Sequence, residues 1–196
     1  MNAPLPPAVD AAAAPLLDRL RALFAEMDRA WDRAAAASGF ACDGCADNCC
    51  RTRFYHHTWA EFLLLREAFF ALPADERAAA LRRAEAVVRA QRKGERSMCP
   101  LNAAERCRVY RARPMICRLH GIPSVFQRPD GRRMDAPGCD DFHRRVPEGS
   151  AVPLDRSPFY RELARLEGDL KTALGRRDRL RMTVAEMVRA FAKEAP

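Results

Sequence analysis

Nowhere in its 196 residues does the chain carry an apolar run approaching the ~18 residues that a membrane-spanning helix needs, so no transmembrane segment is expected. Residues 1–14 contain neither Lys nor Arg, and Asp10 breaks their apolar stretch. They lack the basic start and apolar centre of a secretory signal, which makes a cytoplasmic chain the expectation. The G-x-G-x-x-G, P-loop, G-x-S-x-G and H-E-x-x-H patterns are all absent, leaving dinucleotide, nucleotide and common hydrolase chemistries without support. Cysteine, at 8 residues or about 4%, falls below the roughly 8–10% typical of disulfide scaffolds. The chain is also long enough to bury a core without staples. In a reducing compartment, spaced cysteines point to metal or redox chemistry instead.

Lysine is scarce too: 31 of the 34 basic residues are Arg. GC-rich codon usage accounts for that ratio, and for the many Ala, but not for where the charge lies. Residues 40–145 hold 20 basic and 13 acidic residues, net +7, and they contain every cysteine. Residues 1–39 are net −1 and residues 146–196 net +2.

Periodicity predicts a mainly α fold. Residues 1–15, rich in Ala and Pro, read as a disordered tail, and residues 16–196 as a single helical domain. Leu16, Leu17, Leu20, Leu23, Phe24, Met27 and Trp31 recur at helical spacing, predicting a helix over 15–37 that Gly39 ends. Thr58 and Glu61 match a capping box, opening a helix that Pro73 interrupts. A helix over 74–93 follows, ending at Gly94. A short one is expected from Pro114 to His120, a long one over 157–182, and a last one after the second capping-box pattern, Thr183 to Glu186. Residues 128–132, Arg-Pro-Asp-Gly-Arg, read as the turn of a small hairpin over 124–127 and 133–135. The expected architecture is helices clamping a central irregular cysteine-rich metal-binding unit at about 40–145, with at most a small β-hairpin.

The cysteines fall in two blocks. The first is Cys42-x2-Cys45-x3-Cys49-Cys50, and the second is Cys99-x7-Cys107-x9-Cys117, with Cys139 further on. A Cys-x2-Cys pair lets two thiolates reach one ion from a single turn. Zinc takes four such ligands at about 2.3 Å. Iron–sulfur clusters also take four, and accept them from scattered loops. Soft sulfur donors argue against magnesium or calcium. Eight thiols fill two four-ligand sites, or one site with spares. The plainer reading, buried free thiols, suits Cys139 best and the crowded polar loop 42–50 least. The spacings exclude the radical-SAM loop and the bacterial ferredoxin run. His56, His57, His120 and His143 are weaker ligand candidates. Phe54, Tyr55, Tyr110 and Phe126 suit a shell that keeps water from the site.

Cys42-Asp-Gly-Cys45-Ala-Asp-Asn-Cys49-Cys50 resembles the YkgJ-type cysteine-cluster family, also called the CxxCxxxCC domain. The resemblance continues in Cys99-Pro-Leu, in Cys107-Arg-Val-Tyr, and in Arg113-Pro-Met-Ile-Cys117-Arg118, and covers about residues 40–140. It implies a mainly helical domain chelating zinc or iron, with some members described as iron–sulfur proteins. It places the metal ligands on Cys42, Cys45, Cys49, Cys50, Cys99, Cys107 and Cys117, with Cys139 fitting less closely.

A tetrathiolate zinc or a [4Fe-4S] cluster carries net −2, so nearby arginines would stabilise the thiolates. Arg51, Arg53, Arg108, Arg111, Arg113 and Arg118 stand beside ligands in sequence. Arg113 and Arg118 are the candidate cofactor-binding pair, and Arg113 is the one expected to be buried and paired. Three functions are weighed in this order: a metal-binding protein whose ion orders the loops, an iron–sulfur redox protein or oxidoreductase with a protein partner, and a zinc module on nucleic acid. The basic residues interleave with the ligands and no DNA-reading motif appears, which argues against the third. No spacing singles out a catalytic residue.

Overall fold

The computed structural model describes residues 8–42 and 49–193. It is mainly helical. Its helices are α1 (Ala8–Ala37), α2 (Trp59–Phe70), α3 (Ala74–Arg92), α4 (Met115–Arg118), α5 (Asp140–Arg145), α6 (Ser157–Ala173) and α7 (Val184–Phe191). No helix among the described residues is long and apolar enough to cross a membrane.

Helix α1 begins well before the expected start. Residues 8–14 were expected in a disordered tail, yet they are helical, with Pro15 inside the helix. Five of those seven residues are Ala, the best helix former, and that propensity outweighs the one amide that Pro15 lacks. Leu17, Leu20, Leu23, Phe24 and Met27 are all buried, and α1 packs most extensively on α6. Gly39, at φ +67°, ends the helix as expected, with the Phe40 N–H returning to the Ala35 carbonyl at 2.9 Å.

Helix α2 lies at the centre of the core. Seven consecutive residues, Trp59 to Leu65, are buried, so it is apolar on nearly every face. It touches α1, α6 and α7, and Phe62, Phe69 and Phe191 of α7 form a cluster with ring centroids 5.0–5.4 Å apart. Thr58 caps α2 by accepting from the Glu61 N–H at 3.3 Å. The Glu61 carboxylate reaches back to the Thr58 hydroxyl, at 2.7 Å, and not to the Thr58 N–H that a capping box requires. The Ala60 N–H is met by Glu167 of α6, at 3.1 Å. The second capping box, Thr183 with Glu186, forms in full.

Helix α6 ends at Ala173, where a helix to 182 was expected. Gly175 adopts φ +60° and the Arg176 N–H turns back to the Lys171 carbonyl at 2.8 Å, a helix-ending turn that the leucine stripe conceals. The freed segment crosses to α2's entrance, where Met182 pairs with His56 in a lone antiparallel bridge.

The strands exceed the expected hairpin. β3 (Ser124–Gln127) and β4 (Arg133–Ala136) pair antiparallel as predicted, and β5 (Leu154–Asp155) adds a parallel third strand. A second, two-residue hairpin, β1 (Asn102–Ala103) with β2 (Arg106–Cys107), lies between cysteines. Its turn holds Ala104 and Glu105 at φ 50° and 62°, the geometry of a type I′ turn on residues that seldom adopt it.

Gly138 packs against the start of α5. A Cβ there would stand 2.8 Å from a Phe142 ring carbon and 3.1 Å from the Gly121 carbonyl. Phe142 is fully buried and has little room to yield. Gly138→Ala is therefore expected to cost roughly 1–3 kcal/mol through overpacking, read from the urea midpoint. A cost under a few tenths would show the ring free to move.

Candidate functional site

Six of the seven described cysteines line one cavity of about 990 Å³: Cys42, Cys49, Cys50, Cys99, Cys107 and Cys117. The two sequence blocks therefore meet, and their backbones touch: the Cys99 N–H donates to the Cys50 carbonyl at 2.8 Å. Cys45 lies outside the described residues.

Local structure explains how each thiol is placed. Cys49 and Cys50 open a 3-10 turn, Cys49–Arg51. Cys99 heads the turn into β1, with its carbonyl accepting from the Asn102 N–H at 3.0 Å. The tight β1–β2 hairpin then folds Cys107 back opposite Asn102. Cys117 is the third residue of α4, whose first amide, Met115 N–H, donates to the Glu61 carboxylate at 2.8 Å. The second Glu61 oxygen accepts from the Thr58 hydroxyl at 2.7 Å. Glu61 thus ties α2 to the turn that carries Cys117.

Cys139 departs from its expected role. Its Sγ accepts from the Phe142 N–H at 3.4 Å and caps α5, and its own N–H donates to the Gly121 carbonyl at 2.9 Å. It is not part of the cavity wall. The sequence held this signal: Cys139-Asp-Asp opens the helix with acids, and His143-Arg-Arg closes it with bases.

Four of the thiols, Cys49, Cys99, Cys107 and Cys117, resist ionisation. Burial pushes Cys99 up to about 12. It also raises Cys107, and it raises Cys117 well above the usual thiol range, aided by the thiols of Cys99, Cys107 and Cys50. Cys49 and Cys50 share a hydrogen bond that raises Cys49 and lowers Cys50, which Asn102 also assists. Crowded soft donors of this kind are chemically suited to a thiophilic ion. Among the described residues, no three side chains of His, Cys, Asp or Glu converge closely enough to hold one ion.

Arg113 lines the cavity and is paired, but it is only half-buried; of the two candidate arginines, the buried one is Arg118. It donates to Asp28 of α1 at 2.9 Å and to the Tyr110 carbonyl at 3.0 Å, and lies 3.7 Å over the Tyr110 ring. Arg118 turns away from the cavity wall into the core. It donates to the other Asp28 oxygen and to the Arg111 carbonyl, and lies over the Phe24 ring at 4.2 Å. Both cations still ease ionisation of Cys107.

The four histidines, close to equal in sequence, separate in space. Only His56 lines the cavity, and it is 3% exposed. Its Nε2 has no hydrogen-bond partner among the described residues, and burial, then His57, lowers its pKa to about 4. A buried nitrogen left unmatched ordinarily costs about 1–3 kcal/mol. His57 is exposed, His143 lies on α5, and His120 packs edge-on against Phe54.

Asp28 and Glu61 are the positions sequence reasoning missed as parts of the site. Asp28 had no signal beyond being an acid on a helix. Glu61 had one, but it pointed to a cap. Burial raises the Glu61 pKa. The folded chain thus holds that proton more tightly than the unfolded one, and the resulting stability fades as pH rises above the unfolded value. Glu61→Gln keeps an acceptor for Met115 without the charge. The variant is expected to gain on the wild type as pH climbs from 4.5 to 7.5, measured by urea midpoints. Parallel curves would place the carboxylate in water.

Compared with protein-family models, with curated proteins and with solved structures, the chain finds no match in any of the three.

Proposed function

We propose that this is a metal-binding protein that chelates zinc or iron through the cysteines of its cavity, the ion ordering a central cysteine-rich unit that the helices clamp. The observation that carries the reading is that six cysteines, drawn from segments 42–50 and 99–117, line one cavity. The resemblance of those segments to the YkgJ-type cluster family points the same way. Cys49, Cys50, Cys99, Cys107 and Cys117 are the principal ligands, with Cys42 and Cys45 supplied by the adjoining loop. Glu61 and the Asp28–Arg113 pair hold the 110–118 turn in place. The bound group supplies either a closed structural knot or one-electron redox capacity, according to the metal.

An iron–sulfur cluster is the second reading, because such clusters take four thiolates and accept them from scattered loops. A redox protein partner goes with that reading.

The test is purification without oxygen and without added metal, followed by metal analysis and a visible spectrum. Bound zinc, or iron with thiolate-to-iron charge transfer, is expected, with thermal stability falling on chelation. A metal-free chain that also gains no thiolate charge transfer on adding Co²⁺ would overturn the proposal.

A further inference from the structure

We propose that His56 supplies a nitrogen donor to the ion, making the centre a mixed thiolate–imidazole site. The inference rests on the metal reading above and goes beyond its thiols. His56 is the one histidine on the cavity wall, it is more than nine-tenths buried, and its Nε2 has no partner among the described residues.

The backbone holds the ring in place. The His56 N–H donates to the Met182 carbonyl at 2.8 Å, and the His56 carbonyl accepts from the Met182 N–H at 3.1 Å. On one side the chain runs directly into the Thr58 cap of α2. On the other, Met182 is followed at once by the capping box of α7. A residue held between two helix starts is preorganised. Two polar neighbours that line the cavity, Thr183 and Arg53, are engaged elsewhere. The Thr183 hydroxyl accepts from the Glu186 N–H at 3.3 Å and bonds Gln91 Oε1 at 3.1 Å. Arg53 donates to the Gln91 carbonyl at 3.0 Å. Neither takes the imidazole nitrogen.

Ligand chemistry favours the exchange of one thiolate for this ring. A zinc with three thiolates and one neutral imidazole carries net −1, against −2 for four thiolates. In an enclosed site the lower charge makes the complex easier to hold. Coordination leaves the imidazole uncharged and releases a proton only from each thiol that ionises. As drawn, the donors stand apart, so ion capture draws the thiols in toward the fixed ring.

The experiment is an anaerobic Co²⁺ titration of the full metal-free chain, comparing wild type, His56→Ala and His56→Cys by visible spectrum and affinity. Wild type should give thiolate-to-cobalt charge transfer with ligand-field bands of a mixed sulfur–nitrogen set. His56→Cys should raise the charge-transfer intensity by one thiolate's share and move the ligand-field bands to lower energy. His56→Ala should bind Co²⁺ at least about tenfold more weakly, the smaller end of what losing a residue that supports a metal costs, with added imidazole restoring part of the loss. If His56→Ala does not fold, His56→Cys alone decides. Charge transfer in wild type with an unchanged spectrum in His56→Cys would overturn the His56 assignment and leave the metal reading intact. No charge transfer in wild type would overturn both.

Discussion

Cys117→Ser is expected to abolish the metal-dependent part of the protein's stability while barely altering the metal-free fold. Cys117 is the third residue of α4, and Cys99, Cys107 and Cys50 are near enough to raise its pKa. Serine is nearly the same size, and its hydroxyl is a far poorer partner for a soft ion. Structural zinc contributes folding free energy directly, with apparent values of about 10–16 kcal/mol in small zinc modules. Loss of one ligand should therefore weaken metal affinity by well over the roughly 10–100-fold that losing a supporting residue costs, enough to leave the site empty at working metal concentrations. Heating scans with and without a chelator give the readout. Wild type should shift on chelation, and Cys117→Ser should not. An equal destabilisation of both forms would make Cys117 a packing residue. Cys139→Ser is the matched control. Serine is a preferred helix N-cap, and Cys139 already fills that role for α5. That variant should keep wild-type metal affinity and lose little or no stability.

The contrast between those two cysteines shows what the sequence could and could not reveal. Short intervals made the 42–50 block legible as a unit, but its meeting with 99, 107 and 117 spans 49 positions from Cys50 to Cys99 and was expected from the family resemblance, not from spacing. Cys139 follows 22 residues after Cys117, and at that distance spacing says nothing. Only the local pattern of acids and bases around it carried the answer. The helices behave likewise. Leu20 and Met27 announced the buried face of α1, and Thr183 with Glu186 announced α7, since both signals lie within a few residues. Ala propensity before Pro15 was legible but set against composition, and composition was the weaker guide. Gly175 was legible as a stop, yet Leu170 and Leu174 on either side of Thr172 kept the helical period running up to it. The parallel strand β5 and the His56–Met182 bridge join residues far apart in sequence. No window of neighbours encodes such pairings. The distinction between His56 and His57 is of that kind, because a partner 126 positions along the chain decides which ring turns inward.

Asp28→Ala should be the most damaging substitution outside the apolar core, at about 2–4 kcal/mol by denaturant melt. Asp28 accepts from both Arg113 and Arg118 and so fastens α1 to the turn that carries Cys117. Breaking a buried ion pair by removing one partner typically costs about 3–5 kcal/mol, because the other charge stays buried. The Asp28 side chain is itself 38% exposed, which brings the expectation down. The stranded partner is not so fortunate. The Arg118 side chain is 2% exposed, its Nε has no partner among the described residues, and burial already lowers its pKa. The clamp is therefore asymmetric. Arg118→Met removes the buried cation, keeps apolar contact with Phe24, and leaves Asp28 able to retain Arg113 and meet water. It should cost less than Asp28→Ala, and adding it to Asp28→Ala should recover part of the loss. A double-mutant cycle of the two positions measures this directly. Asp28→Ala within 0.5 kcal/mol of wild type, or a double variant worse than the sum of the singles, would sink the account. Arg113 gives the clamp its reach to the site. Without Asp28, this wall residue is held only through Tyr110, and the cationic support of Cys107 loosens with it. Metal affinity in Asp28→Ala should therefore fall together with stability, whereas Gly138→Ala, which crowds Phe142 and the Gly121 carbonyl and not the cavity lining, should lower stability alone.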